Sequence, residues 1–260
     1  MPRTRASAHD RRSPGRTRAD ADAGAARGWL ARIGRGLAWV LGLAVLGVVL
    51  LQFWYLAHIL WWKTQPVQST AFMRAQLKVL QQTNPKATLT HEWVPYERIS
   101  SHLKRAVIAA EDARFNTHDG VDWDAIERAW ERNQKNGKVL QGGSTITMQL
   151  AKNLFLSGER SYLRKAQEMV ITWMLEALLD KRRILEIYLN VAEWGVGVFG
   201  CEAGAHRHFR TTAARLGPAE AARMAAMLPR PRFYDRNPQA ALLSQRAAII
   251  QRWMGAMQVP

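Results

Sequence analysis

Three stretches of this sequence set acids, bases and hydroxyls at spacings that permit chemistry. The first, EDARFNTHDG at positions 111–120, places Glu111 and Asp112 side by side, followed by Phe115, His118 and a closing glycine. Adjacent carboxylates make either a solvated helix end or an acid–base pair in which one carboxyl raises the proton affinity of the other. At the C-terminal end of a helix they sit against the negative pole of its dipole, a local cost of the kind that function retains. The second, QGGSTITMQLAKNLF at 141–155, has two glycines that permit a tight turn and then Ser144, a good N-cap by type. Thr145 follows in the first turn, and Gln149 and Lys152 lie one and two turns on, near the same face. Free N–H groups above the glycines would suit an anion, although the same residues serve as ordinary turn and cap chemistry. The stretch is not a P-loop, because no lysine directly precedes the Ser or Thr. In the third, ERSYLRKAQEMV at 159–170, Arg160, Arg164 and Glu168 recur every four residues and form one polar stripe. Such a stripe is a surface ion pair, or else a pair of cations that hold an anionic ligand while the carboxylate orients them.

Two other patterns lead nowhere. His118, Asp119, Asp122 and Asp124 supply a single histidine and no EF-hand spacing, so no metal ligands are assigned. SHLK at 101–104 matches the S-x-x-K of serine acyl transferases, but no S-x-N or K-T-G follows it.

The elements that must position these residues read as helices. Ser100 or Ser101 opens one that carries Leu103, Val107, Ala110 and Arg114 at helical spacing. DWDAIERAWERNQKNG starts at Asp122 and stops at Gly137, and SYLRKAQEMVITWMLEALLD sets Leu163, Val170, Trp173 or Met174, and Ala177 on one side. KRRILEIYLN continues or restarts that helix, two more follow, and no alternating strand pattern of useful length appears. The expected fold class is mainly α.

The 260 residues hold one domain and something extra. Between Arg35 and Lys63 no Asp, Glu, Lys or Arg occurs. As a helix, the apolar segment 37–60 spans about 36 Å against a hydrocarbon core of about 30 Å. A cleaved signal peptide has a shorter apolar run, and Trp54, Tyr55, Trp61 and Trp62 suit an interfacial aromatic belt, so a retained transmembrane helix is expected. Nine arginines against three aspartates precede it, which keeps the N-terminus in the cytoplasm and exports the rest. Residues 1–28 read as a disordered basic tail and 64–89 as a juxtamembrane connector that leads into an amphipathic helix. The net charge of +16 would ordinarily suggest nucleic acid, but an exported domain meets anionic lipid instead. The one cysteine, Cys201, can form no internal disulfide and reads as a small buried residue.

Together, and in this order, the three stretches resemble the signatures of the peptidoglycan glycosyltransferases, or transglycosylases, that polymerise lipid II. EDARFNTHDG looks like the first signature, GGSTITMQLAKNLF the second, RKAQE the third and KRRILEIYLN the fourth, and the likeness covers about residues 90–240. Met148 stands where many members carry a second Gln. With no transpeptidase domain before Pro260, the chain is most similar to the monofunctional, membrane-anchored members. The resemblance implies a lysozyme-like helical domain over 90–258 with a small lobe that touches the bilayer of the inner membrane. It implies Glu111 as general base, with Lys152, Arg160 and Arg164 neutralising a pyrophosphate leaving group. Glu168 would orient those cations or hold a divalent ion. Ser144, Thr145 and Gln149 would bind the donor, and Asp112, Phe115 and His118 would shape the first motif around substrate. No cofactor is expected to be tightly bound, though a divalent cation, Mg or Mn, can accompany the pyrophosphate. Partners would be lipid II, the growing lipid-linked glycan, the membrane and other wall-synthesis or division proteins. A lytic relative, which would not need the cation cluster, and a non-enzymatic basic scaffold, which would not need Glu111, are the rival readings.

Overall fold

The computed structural model describes residues 18–136, 143–156 and 161–260. Gly137, Gly142, Arg160 and the first 17 residues of the expected tail therefore lie outside the described residues. Two units divide at Trp54 and Tyr55.

Helix α1 runs Arg18–Trp62. It starts within the stretch expected to be disordered, because Ala and Arg are strong helix formers and the apolar run behind them propagates the helix. Within it, Gly34–Trp62 is long and apolar enough to cross a membrane, 29 residues or about 44 Å. Leu37, Trp39, Leu43 and Phe53 are all exposed, so apolar side chains cover every face, as suits a helix whose solvent is lipid.

In the second unit, α2 (Ala71–Thr83) begins where the Thr70 hydroxyl accepts from the Met73 amide. Helix α3 (Ser101–Glu111) is capped by Ser100, and Leu103, Ala106 and Val107 turn one stripe into the core. It ends at Glu111, because Asp112 adopts an extended backbone, and so excludes Arg114. Helix α4 (Trp123–Asn136) opens one residue later than expected, with Asp122 accepting from the Ala125 amide. Helix α5 (Ile146–Phe155) is capped by Thr145 and not by Ser144: the Thr145 hydroxyl accepts from Met148 N at 3.1 Å and donates to the Gly120 carbonyl at 2.5 Å. A cap held from two directions prevails over an exposed serine one residue earlier.

Helices α6 (Tyr162–Leu178) and α7 (Lys181–Val191) are separate, since Leu179 and Asp180 are extended and Asp180 caps α7. The buried face of α6 is Glu168, Ile171, Thr172 and Leu175. The expected apolar face is rotated away, with Leu163 84% exposed and Trp173 50% exposed. Two polar side chains occupy the inner stripe, and apolar periodicity alone misplaces a helix that buries a carboxylate.

The remaining helices are α8 (Cys201–Phe209), α9 (Pro218–Met227), α10 (Pro231–Arg236) and α11 (Ala241–Trp253). Strands β1 (Thr90–His91), β2 (Glu193–Gly195) and β3 (Val198–Phe199) form a sheet in the order β1-β3-β2, with β1 parallel and β2 antiparallel to β3. Strands this short, and buried on both faces in β2 and β3, offer no alternation for a sequence reading to detect. Helix α3 packs on α9 and α11, and α5 packs on α2, α6 and α7. The end of α3 and the start of α5 thus meet above one core. Cys201 is buried there, and burial pushes its thiol far above the usual range, so it is inert.

Candidate active site

The site assembles where the last turn of α3 faces the first turns of α5. Gln149 donates from Nε2 to Glu111 Oε2 at 2.7 Å. Its own carbonyl oxygen accepts from the hydroxyl of Tyr188, on α7, at 3.0 Å. Glu111 Oε1 is buried and has no partner among the described residues. Burial raises the Glu111 pKa above the ordinary carboxylate value, and Asp112 adds to the rise; the Gln149 hydrogen bond, then Arg246 of α11 and Lys152, oppose it. Desolvation wins, leaving a carboxylate with a strengthened affinity for protons.

Asp112 has a different task. It pairs with His118 Nε2 at 2.9 Å and accepts from the Ile146 amide at 3.1 Å, which binds the first stretch to the head of α5. That arrangement puts the proton on Nε2 of His118, whose Nδ1 is buried and has no partner among the described residues. The loop carbonyl of His118 accepts from Lys181 Nζ at 2.6 Å, and the same ammonium reaches Glu176 at 2.8 Å, which in turn accepts from Thr147. One carboxylate thereby joins α5, α6 and α7 beneath the site. Phe115 is completely buried, with Lys181 Nζ 4.8 Å from its ring centroid, so its contribution is packing.

Gly120 closes this loop at φ +84, where a Cβ would lie 2.7 Å from Thr172 Cγ2. Substituting alanine forces both a left-handed backbone and a clash beside the carbonyl that holds Thr145. Gly120→Ala is therefore expected to lower stability by about 1–3 kcal/mol, measured as a fall in denaturation midpoint; an unchanged midpoint would contradict this account of the turn.

The cations gather around Glu168 of α6. Glu168, buried, is held by Arg164 at 3.2 Å and Lys165 at 2.5 Å. Burial lowers the pKa of Lys152; Glu168 and Glu111 raise it, while Arg164 and Lys165 add to the lowering. Lys152 thus couples electrostatically to the carboxylate of α3 and to the cluster of α6. Lys165, missed in the sequence, was detectable at i−3 from Glu168. Tyr188 and Arg246 carried no signal, since neither lies near the other site residues along the chain.

A cavity of about 290 Å³ borders Glu111, Asp112, Ser144 and Thr145, with Arg128 and Arg132 of α4 along another wall. It places the second stretch beside the first, whereas Lys152, Arg164 and Glu168 do not line it. No group of three or more His, Cys, Asp or Glu side chains fit to hold a metal occurs among the described residues. Glu168 already carries two cationic partners, so the donor set does not fit a protein-built metal cage.

The transglycosylase family model matches residues 76–255. A biosynthetic peptidoglycan transglycosylase of Herminiimonas arsenicoxydans is 57% identical over 224 residues, which cover 86% of this chain and 97% of that protein. One from Methylobacillus flagellatus is 59% identical over 218 residues, covering 84% and 95%. One from Bordetella pertussis is 53% identical over 223 residues, covering 84% and 92%.

Proposed function

Because this chain belongs to the transglycosylase family and is a peptidoglycan glycosyltransferase, we propose that it polymerises lipid II with Glu111 as general base. The acceptor's GlcNAc 4-hydroxyl attacks the anomeric carbon of the MurNAc that ends the growing chain. Its proton passes to Glu111, the C1–O4 bond forms, and the C1–phosphate oxygen bond breaks to release undecaprenyl pyrophosphate. Attack from the face opposite the leaving group converts an α linkage into a β linkage.

A pyrophosphate leaves readily once its developing charge is met, so cations matter more there than a protonating acid. Lys152 and Arg164 supply that charge, and Glu168 holds Arg164 and Lys165 in place. Arg160 would join them on the grounds of sequence alone. Any Mg or Mn would come with the substrate's phosphates.

The single observation that carries this reading is the buried Glu111 carboxylate, tied down through one oxygen and without a partner at the other among the described residues, within the field of Lys152. The anchor supports a site at the membrane surface, with the N-terminus cytoplasmic and the catalytic domain on the periplasmic side of the inner membrane. Exposed Trp123 and Trp130 on α4, with Trp173 on α6, support contact of this lobe with lipid.

The test is incubation with labelled lipid II and, separately, with finished glycan. Polymer on a gel from the first and no cleavage of the second are expected; the reverse would establish a lytic enzyme. In the same assay, turnover should rise with pH along an acid limb displaced upward from that of an ordinary carboxylate, because a base works only when deprotonated and burial here favours the proton. A rate that stays flat to the pH of an unperturbed glutamate would remove Glu111 from the role.

A further inference from the structure

Gln149 is the hinge of a hydrogen-bonded line that crosses three helices. Its amide has two different ends, and either can be turned toward Glu111. With the NH2 group facing the carboxylate, the amide stabilises the ionised form. With the carbonyl facing it, two acceptors oppose each other until the carboxyl takes up a proton. What fixes the orientation is the group at the other end, Tyr188, whose ring is buried in the core and whose hydroxyl lies 3.0 Å from Gln149 Oε1. A neutral phenol can accept as well as donate, but burial together with the nearby charges of Glu111 and Asp112 keeps this one protonated, and its proton has no other acceptor among the described residues, so it is given to Gln149 Oε1.

Resting on the reading of Glu111 as base, we propose that Tyr188 is a positioning residue: its hydroxyl holds the Gln149 amide with the NH2 toward Glu111, which engages Oε2 and leaves Oε1 as the oxygen that receives the acceptor's proton. Tyr188 touches neither substrate nor Glu111 in this scheme. It acts through Gln149, and it assigns the two carboxylate oxygens different work. The side chain of Gln149 is consequently committed at both ends to protein groups, so its main task is to orient the base.

The experiment is the pH dependence of lipid II polymerisation by full-length protein in detergent, for wild type, Tyr188→Phe and Gln149→Met. Phenylalanine keeps the ring and removes only the hydroxyl. Freed, the amide can turn its carbonyl to Glu111 and favour the protonated acid, so the acid limb moves to higher pH. At the midpoint of the wild-type acid limb, Tyr188→Phe is expected to be down by about tenfold, the worth of one charge-assisted hydrogen bond, while the alkaline plateau recovers to within about twofold. Gln149→Met should shift the limb the same way, and the double variant should shift it no further than Gln149→Met alone.

A merely structural tyrosine would lower the plateau or the melting temperature and leave the limb in place, and that result overturns the proposal. If Tyr188→Phe does not fold, an unshifted limb in Gln149→Met overturns it equally. Failure of the underlying reading looks different: Glu111→Gln would then keep both its activity and the wild-type acid limb.

Discussion

Glu111→Gln is expected to cut the rate of glycan polymerisation by about 10²- to 10⁴-fold, the usual worth of a positioned general base. The variant should remain folded, for a reason found in the site. The Glu111 carboxyl has its pKa raised by burial. Its stabilising contribution is therefore complete below the unfolded pKa and is lost as pH rises through the folded one. Once ionised, the carboxylate is a liability to the fold, which a neutral amide of the same shape removes, and Gln149 can still donate to it. Gel analysis of labelled glycan, together with a melting curve at neutral pH, checks both parts. Wild-type turnover would eliminate the assigned base, and a markedly lower melting temperature would contradict the electrostatic account.

Lys152→Met should produce the second-largest loss, about 10²- to 10³-fold in kcat. Charge develops on the leaving pyrophosphate as the anomeric bond breaks, so the cation acts more on the transition state than on the bound substrate, and KM should change less than kcat. The fold tolerates the change because Glu168 keeps Arg164 and Lys165 as partners. Arginine at the same position should restore part of the rate. A Lys152→Met protein with unchanged kcat would move the pyrophosphate elsewhere.

Much of this was legible from residue types. A helix apolar enough to cross a membrane follows from 27 successive positions, 36–62, without Asp, Glu, Lys or Arg, and α3 follows from its Ser100 cap and apolar spacing. Glu111, Asp112, His118, Gln149, Lys152, Arg164 and Glu168 all fall within the three stretches that residue type and spacing single out. What the sequence concealed has physical causes. The inner stripe of α6 contains Glu168 and Thr172, so its apolar periodicity points outward. The cap of α5 is chosen by a tertiary bond from Thr145 to Gly120, beyond the reach of local preference. Tyr188 and Arg246 reach Glu111 only through packing of α7 and α11, and contacts that distant along the chain leave no spacing to read.

The two poles of the site also set terms for inhibitor chemistry. Oε1 of Glu111 is desolvated and acceptor-only when ionised, whereas the charged form of Lys152, which burial disfavours, is supported by Glu168 and Glu111. A competitive compound would gain most by presenting an amine or hydroxyl at the first pole and an anionic group at the second. A symmetrically charged molecule would meet repulsion or unrecovered dehydration at one end, so the opposite charges of these two groups, more than the volume of the cavity beside Glu111, dictate what should be screened.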